Sequence, residues 1–366
     1  MKQINLFEPN LSNLEKKFVL DSLNKNQISS YGYFNDLLEK EIKKVTGSKY
    51  NLTISSGSAG LYIALKSTGI KKDEIVITQS YTFSATTNAI MLNNSIPLLV
   101  DISDNDLNID FKNLKNFFKK ETFTKQNSTY HKKTKKKISC LCLVFTLGLI
   151  PDLKKIEYFR KKYNLKIIFD AACALGSKYK KKDLAKFCDA AIYSLNGNKN
   201  FTSGAGGILS TEKKSIFNYA RKFSNNGKLL NSYNYKMIGF NFRMSSLNAA
   251  VGLGQIKRFN KLIQKKKIIR NIYSKNLKPI ELFNCKFKWG NYLPWINFIF
   301  LNKKTKLKVI NFLKKNKIFT NKFWLPMHMQ PVKKKFYFNR FKKHKKNLRK
   351  YSCITFFYVF VKKRYC

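Results

Sequence analysis

The sequence is short of acid. Its 366 residues carry 20 Asp and Glu against 72 Lys and Arg, a formal net charge of +52. A charge of that sign and size suits a polyanionic partner, either nucleic acid or an anionic membrane. Against that reading, the lysines are dispersed from Lys2 to Lys363 and come with many Asn, Ile and Phe, which marks a compositional bias rather than a binding patch. No zinc-finger or RNP signature accompanies them. Histidine is scarcer still, at three residues (131, 328 and 344), which argues against a His-rich metal site. The seven cysteines are odd in number and scattered, with no CxxC pair, so neither a zinc ribbon nor a disulfide framework is indicated. The longest near-continuous apolar run, residues 138–151, is too short for a bilayer-spanning helix, which needs about 20 residues. The first ten residues, MKQINLFEPN, lack the apolar stretch of a signal peptide. A reducing, cytoplasmic setting is therefore expected.

What is present is a globular composition. Apolar residues make up 44% and charged residues 25%, which excludes a wholly disordered chain and allows one large domain or, more naturally, two. Between residues 51 and 210, short apolar runs alternate with segments of helical period. Strands are expected at 74–78, 96–102, 138–145, 165–170 and 190–195, all rich in Val, Ile, Leu and Phe without clean polar alternation. Leu153, Ile156, Phe159 and Tyr163 recur at helical spacing between two of them and predict a crossover helix. The pattern predicts an α/β fold with a mostly parallel sheet covered by helices on both faces.

A long helix is expected next, with Leu247, Ala250, Val251, Leu253, Ile256, Phe259 and Ile263 on its apolar side. Beyond about Ile272 the pattern changes to a strand (295–301), a helix (about 305–316) and a short PMHMQP turn, as in a smaller α+β domain. Residues 111–137 read as a polar, basic insertion, and 333–350 as a basic stretch with interleaved aromatics. No internal repeat is visible.

In a parallel sheet, ligands bind beyond the carboxyl ends of the strands. Asp170 ends one expected strand, Ser194 lies near the end of another, and Lys199 follows five residues later in a Gly/Asn-rich loop. Upstream, SSGSAG (55–60) runs straight into an Ala/Leu-rich helix, a composition suited to an anion cradle or to an ordinary Ser-capped turn. A Lys desolvated in such a loop can have its pKa lowered and its amine freed for Schiff-base chemistry. A buried carboxylate opposite a ring nitrogen is the other component of a pyridoxal phosphate site.

These motifs occur in the order EPNLSNLEKKFV, ISSYGYFNDLLEKEI, SSGSAGLYIAL, QSYTFSATTNAI, PLLVDI, IIFDAACALGSKYKKK, SLNGNKNFTSGAGG, GFNFRMSSLNAAVGLGQI and WLPMHMQP, over roughly residues 5 to 332. In that order the chain resembles the DegT/DnrJ/EryC1/StrS family of sugar-nucleotide aminotransferases. SLNGNKN, WLPMHMQP and the basic insertion look most like the subgroup that makes 4-amino-6-deoxy-N-acetylhexosamines, as in bacillosamine- and legionaminate-type pathways.

The resemblance implies a fold-type I, aspartate aminotransferase-like scaffold, with a large domain binding pyridoxal 5′-phosphate over residues 1–245 and a smaller C-terminal α+β domain over 246–366. It implies that Lys199 holds the cofactor and moves the proton, and that Asp170 pairs with the pyridine nitrogen. Phe83 would stack on the ring. Gly57, Ser58, Ala59 and Ser194 would bind the phosphate, and Asn241 would reach it from a neighbouring subunit, which makes a homodimer part of the site. Arg243 and His328 are candidates on the substrate side, although Arg243 could equally pin a loop and His328 could be a packing residue. The implied substrates are glutamate, as amino donor, and a nucleotide-diphosphate 4-keto-6-deoxy sugar, for glycan or surface polysaccharide precursors such as those of lipopolysaccharide.

Some positions depart from the family pattern. Cys173 stands where Gln, His or Glu is usual next to the cofactor's phenolic oxygen, Phe145 replaces a His, Lys322 replaces an Arg, and the sequence after Lys350 matches poorly. Some relatives are dehydratases with His in place of the lysine; the presence of Lys199 argues against that reaction.

Overall fold

The computed structural model describes residues 3–30, 32–228, 233–277, 289–291, 293, 295–301, 303–332, 336–338 and 354–357. A ten-stranded sheet forms its centre. Across it the order is Tyr50–Ile54, Gly207–Thr211, Ala190–Ser194, Lys166–Asp170, Lys137–Val144, Ile75–Gln79, Ile96–Val100 and Tyr337–Phe338. Gly207–Thr211 runs antiparallel to both of its neighbours, and the pairs from Ala190–Ser194 through to Tyr337–Phe338 are parallel. IVITQ (Ile75–Gln79) is buried along its whole length, as a β-branched run between two helical layers should be.

Each of the five strands expected inside the sheet is present, within a residue or two at each end. Two more, Tyr50–Ile54 and Gly207–Thr211, were not legible because polar residues interrupt them. Those residues are buried and bonded to distant partners. Thr53 Oγ1 donates to Glu39 Oε1 at 2.8 Å, and Ser210 Oγ donates to Asn51 Oδ1 at 2.6 Å. Residues 111–137 also differ from a plain insertion. Asp110 caps a helix, Phe111–Glu121, that buries Leu114, Phe117 and Phe118, and a hairpin (Thr122–Lys125 with Ser128–His131) then pairs with the start of the interior strand Lys137–Val144.

Helices cover both faces of the sheet. On one side the core includes Leu38, Ile77, Leu141, Phe169 and Tyr193; on the other it includes Ile63, Val76, Cys140, Ile168 and Leu209. The crossover helix is Leu153–Tyr163, capped by Asp152, and it buries Leu153, Ile156 and Phe159. The long helix expected after the sheet is two helices, Ser246–Lys257 and Phe259–Asn276. Arg258 between them has φ −104° and ψ 5°, outside helical geometry, and its guanidinium reaches back to Glu15 Oε1 at 2.7 Å. The first of the two crosses the N-terminal helix Asn13–Asn24 closely. A Cβ at Gly254 would lie 2.8 Å from Glu15 Cα, so only glycine fits there.

The strand expected at 295–301 is Asn297–Phe300, paired with Ile354–Phe357, and the helix expected near 305–316 is Lys303–Lys315. Most of the basic stretch 333–350 lies outside the described residues. Among those that are described, no helix is long and apolar enough to cross a membrane.

Candidate active site

The sheet brings several strand ends to one rim. Asp170 pairs with Val144 on one side and Ile192 on the other, so it lies level with the carboxyl ends of both neighbours. Because Gly207–Thr211 is antiparallel, its first residue sits at this rim too, opposite Ile54 and Ser194. The turn that follows Ile54 is thereby pressed against Ser194. A Cβ on Gly57 would meet Ser194 Cβ at 3.2 Å, and one on Gly207 would meet Gly57 N at 2.7 Å.

That convergence opens a cavity of about 320 Å³ whose walls carry Gly57, Ser58, Phe83, Asp170, Cys173, Ser194 and Lys199. Gly57 and Ser58 open the helix Gly57–Ser67, and its N-terminus gives the cavity the positive end of a helix dipole. Ala59 is placed differently. Its N–H is taken by the capping Ser56 Oγ at 3.1 Å, and it is absent from the cavity wall.

Asp170 is buried, 5% exposed, and burial pushes its carboxyl above the usual range. Three opposing influences favour the charged form: the Thr86 hydroxyl donating to Oδ2 at 2.6 Å, the Ala172 N–H at 3.3 Å from Oδ1, and the positive charge of Lys199. Lys199 Nζ is 3.2 Å from Cys173 Sγ and 4.2 Å from the ring centroid of Trp295. The Trp295 indole N–H donates to Asn198 O at 2.7 Å and so ties the lysine's loop to the C-terminal segment. Burial raises the Cys173 thiol, so it stays protonated beside the ammonium. Phe83 is 60% exposed and meets Trp324 edge-on at 6.0 Å. Phe145, buried on the cavity wall, packs on Phe169 at 4.8 Å.

The remaining candidates lie off this cavity in the single chain. Asn241 is exposed, with a backbone bridge to Asn225. Arg243 is buried, with Nη2 3.4 Å from Glu39 Oε1, and it bridges by backbone to Ile54 at the start of the glycine turn. His328 Nδ1 is 2.5 Å from Ser80 Oγ. Lys322 is exposed. Reading the sequence missed Thr86, Trp295, Trp324 and Asn198. Thr86 could have been found: it lies one helical turn after Phe83 within QSYTFSATTNAI and so shares its face. Trp295 offers no such clue, because its partner lies 97 residues away.

The walls fit pyridoxal 5′-phosphate. A buried carboxylate, an amine and an exposed aromatic ring suit a planar heterocycle with a basic nitrogen, and a glycine turn at a helix N-terminus suits its phosphate. Among the described residues no cluster of His, Cys, Asp and Glu could hold a metal ion.

Known proteins resemble this chain over most of its length. The model of the DegT/DnrJ/EryC1/StrS aminotransferase family matches residues 9–353. GDP-perosamine synthase of Escherichia coli O157:H7 is 30% identical over 94% of this chain and 90% of its own length. A UDP-4-amino-4,6-dideoxy-N-acetyl-beta-L-altrosamine transaminase of Campylobacter jejuni is 29% identical over 71% of this chain and 66% of its own. Among solved structures, a putative sugar aminotransferase from Streptococcus pneumoniae in its PLP form superposes with a TM-score of 0.85 at 20% identity, covering 99% of this chain and 95% of that one.

Proposed function

Because the chain belongs to the DegT/DnrJ/EryC1/StrS aminotransferases, pyridoxal phosphate enzymes of fold-type I, we propose that it moves the amino group of glutamate to the keto carbon of a nucleotide-linked 4-keto-6-deoxy sugar. The observation that carries this reading is that Asp170 and Lys199 line the same cavity, with a helix N-terminus on its wall. The names of the relatives, a GDP-sugar enzyme and a UDP-sugar enzyme, support a nucleoside diphosphate sugar as acceptor.

Pyridoxal 5′-phosphate, when bound, supplies the electron sink that makes a C–H bond next to the reacting nitrogen acidic. The chain's own residues do the rest. Gly57 and Ser58 N–H groups, with the Ser194 hydroxyl, would hold the phosphate. Phe83 would cover one face of the ring. The Asp170 carboxylate would pair with the ring nitrogen and keep it protonated, through a charge-assisted hydrogen bond worth about 1.5–3 kcal/mol. Thr86 and Ala172 favour the charged form of that carboxylate against the pull of burial. Lys199 Nζ would hold the cofactor at rest, and as a free amine it would carry a proton between the substrate carbon and the cofactor within each half-reaction. Asn241, exposed in the single chain, would complete the phosphate site of a partner subunit in a homodimer.

The test is spectroscopic. Purified protein given cofactor should develop a visible band that is absent in Lys199→Ala. Glutamate should bleach it, and a GDP- or UDP-linked 4-keto-6-deoxy sugar should restore it with formation of an amino sugar. Protein that stays colourless with cofactor present, or a sugar product that has lost an oxygen and gained no amine, refutes the reading.

A further inference from the structure

Trp295 meets the loop of Lys199 twice. Its ring, 5% exposed, lies on the wall of the rim cavity with its centroid 4.2 Å from Lys199 Nζ. Its indole N–H donates at 2.7 Å to the carbonyl of Asn198, the residue before the lysine. Phe7, in the N-terminal segment, stacks on the same ring at 6.1 Å and 14° from parallel. Lys266, on the helix Phe259–Asn276, donates to the Trp295 carbonyl at 3.1 Å. The N-terminal segment, the lysine's own loop and a helix thus fix the plane of one indole, and the amine lies over its face.

The amine's two near contacts, the Cys173 thiol at 3.2 Å and this ring, carry no charge. An ammonium within about 6 Å of an indole centroid is attracted by the negative face of the ring, more strongly where water is excluded. A carboxylate in the same place would add charge-assisted hydrogen bonds and commit the lysine to a salt bridge. The indole face attracts the charge and accepts no such bond, so it stabilises a free lysine without locking it.

That distinction matters for a lysine that alternates between two states. In the aminotransferase reading the substrate's amino group replaces the lysine on the cofactor. One carbon–nitrogen double bond forms as another breaks. With the imine in the same protonation state before and after, the incoming ammonium loses three protons and the lysine nitrogen gains three, leaving as an ammonium. Whatever stabilises the departed ammonium draws that exchange forward. We propose that the face of Trp295 is the seat of the displaced Lys199 ammonium. As a positioning residue it makes the lysine easier to displace and keeps it at the rim for the proton transfer that follows. The proposal rests on the aminotransferase reading and deepens it.

Tryptophan bearing one, two or three ring fluorines, placed at position 295 alone, keeps nearly the same shape and the N–H while draining negative charge from the face. Two equilibria should then move in opposite directions. The first uses 2-methylglutamate, which has no hydrogen on its amino-bearing carbon, so the reaction stops once the lysine is displaced. Its half-saturating concentration, read from the visible band, should rise stepwise with fluorine, by about 2- to 30-fold over the series. The dissociation constant of pyridoxal 5′-phosphate from the protein should fall over the same series, because the free ammonium is the state that loses its seat. A third measurement needs no cofactor. Fluorination should shift the urea-unfolding equilibrium of the cofactor-free wild type by a similar factor more than that of Lys199→Met, which keeps the stem and removes the charge. Both constants rising together would mark Trp295 as a packing residue, and no change over the series would leave its face without a part in the exchange; either overturns the proposal. Protein that takes up no cofactor, or whose band ignores 2-methylglutamate, would instead strike the aminotransferase reading. The unfolding comparison would still decide whether the ring holds the charge.

Discussion

Thr86→Val asks how Asp170 stays ionised in a place that penalises its charge. The Thr86 hydroxyl donates to Asp170 Oδ2 at 2.6 Å and lies 2.8 Å from Thr82 Oγ1, while the second contact, from Ala172 N–H, is longer at 3.3 Å. Valine keeps the shape and removes the donor. A hydrogen bond to a charged group is worth about 1.5–3 kcal/mol, so its loss moves the balance between carboxylate and carboxylic acid about 10- to 150-fold toward the acid. Burial already presses in that direction. The acid limb of the kcat/KM profile should therefore move to higher pH in Thr86→Val, with most of the rate recovered on the alkaline side, and Thr86→Ser should restore the wild-type limb. A variant that is slower by the same factor at every pH, with its limb unmoved, would show that Thr86 shapes the cavity and does not hold the charge.

The other predictions concern stability. Because the folded-state pKa of Asp170 is raised, its contribution is fully present below the ordinary carboxyl value of about 4 and is lost as pH rises through the folded value. Asp170→Asn should accordingly raise the thermal midpoint of cofactor-free protein at pH 7, have little effect near pH 4, and abolish turnover. Gly254→Ala places a Cβ 2.8 Å from Glu15 Cα and 2.9 Å from its N, so urea unfolding should show a loss of about 1–3 kcal/mol. Arg258→Met removes a 2.7 Å contact to the buried Glu15 and should cost about 1.5–3 kcal/mol in the same assay. Since both changes act through Glu15, the double variant should depart from additivity, and strict additivity would show that the two contacts are independent.

What the sequence determined by itself was the frame. Runs such as IVITQ and KIIFD bury on both faces whatever surrounds them, so a parallel sheet and its rim followed from local pattern alone. Asp170, Lys199 and the SSGSAG turn could be singled out because each lies beside a strand or helix end whose position that pattern fixes. Tertiary structure decided what those groups touch. Thr86 meets Asp170 from 84 positions away, and Trp295 reaches the lysine loop from 97, spacings that no local period encodes. The break at Arg258 has the same origin, since Glu15, 243 residues earlier, pulls its guanidinium out of an otherwise continuous apolar helical pattern. Periodicity reports which side of an element faces apolar surroundings. The partners of a charge or an amide depend on which distant segments the packed core brings within about 3 Å, and that is settled only when the whole chain has folded.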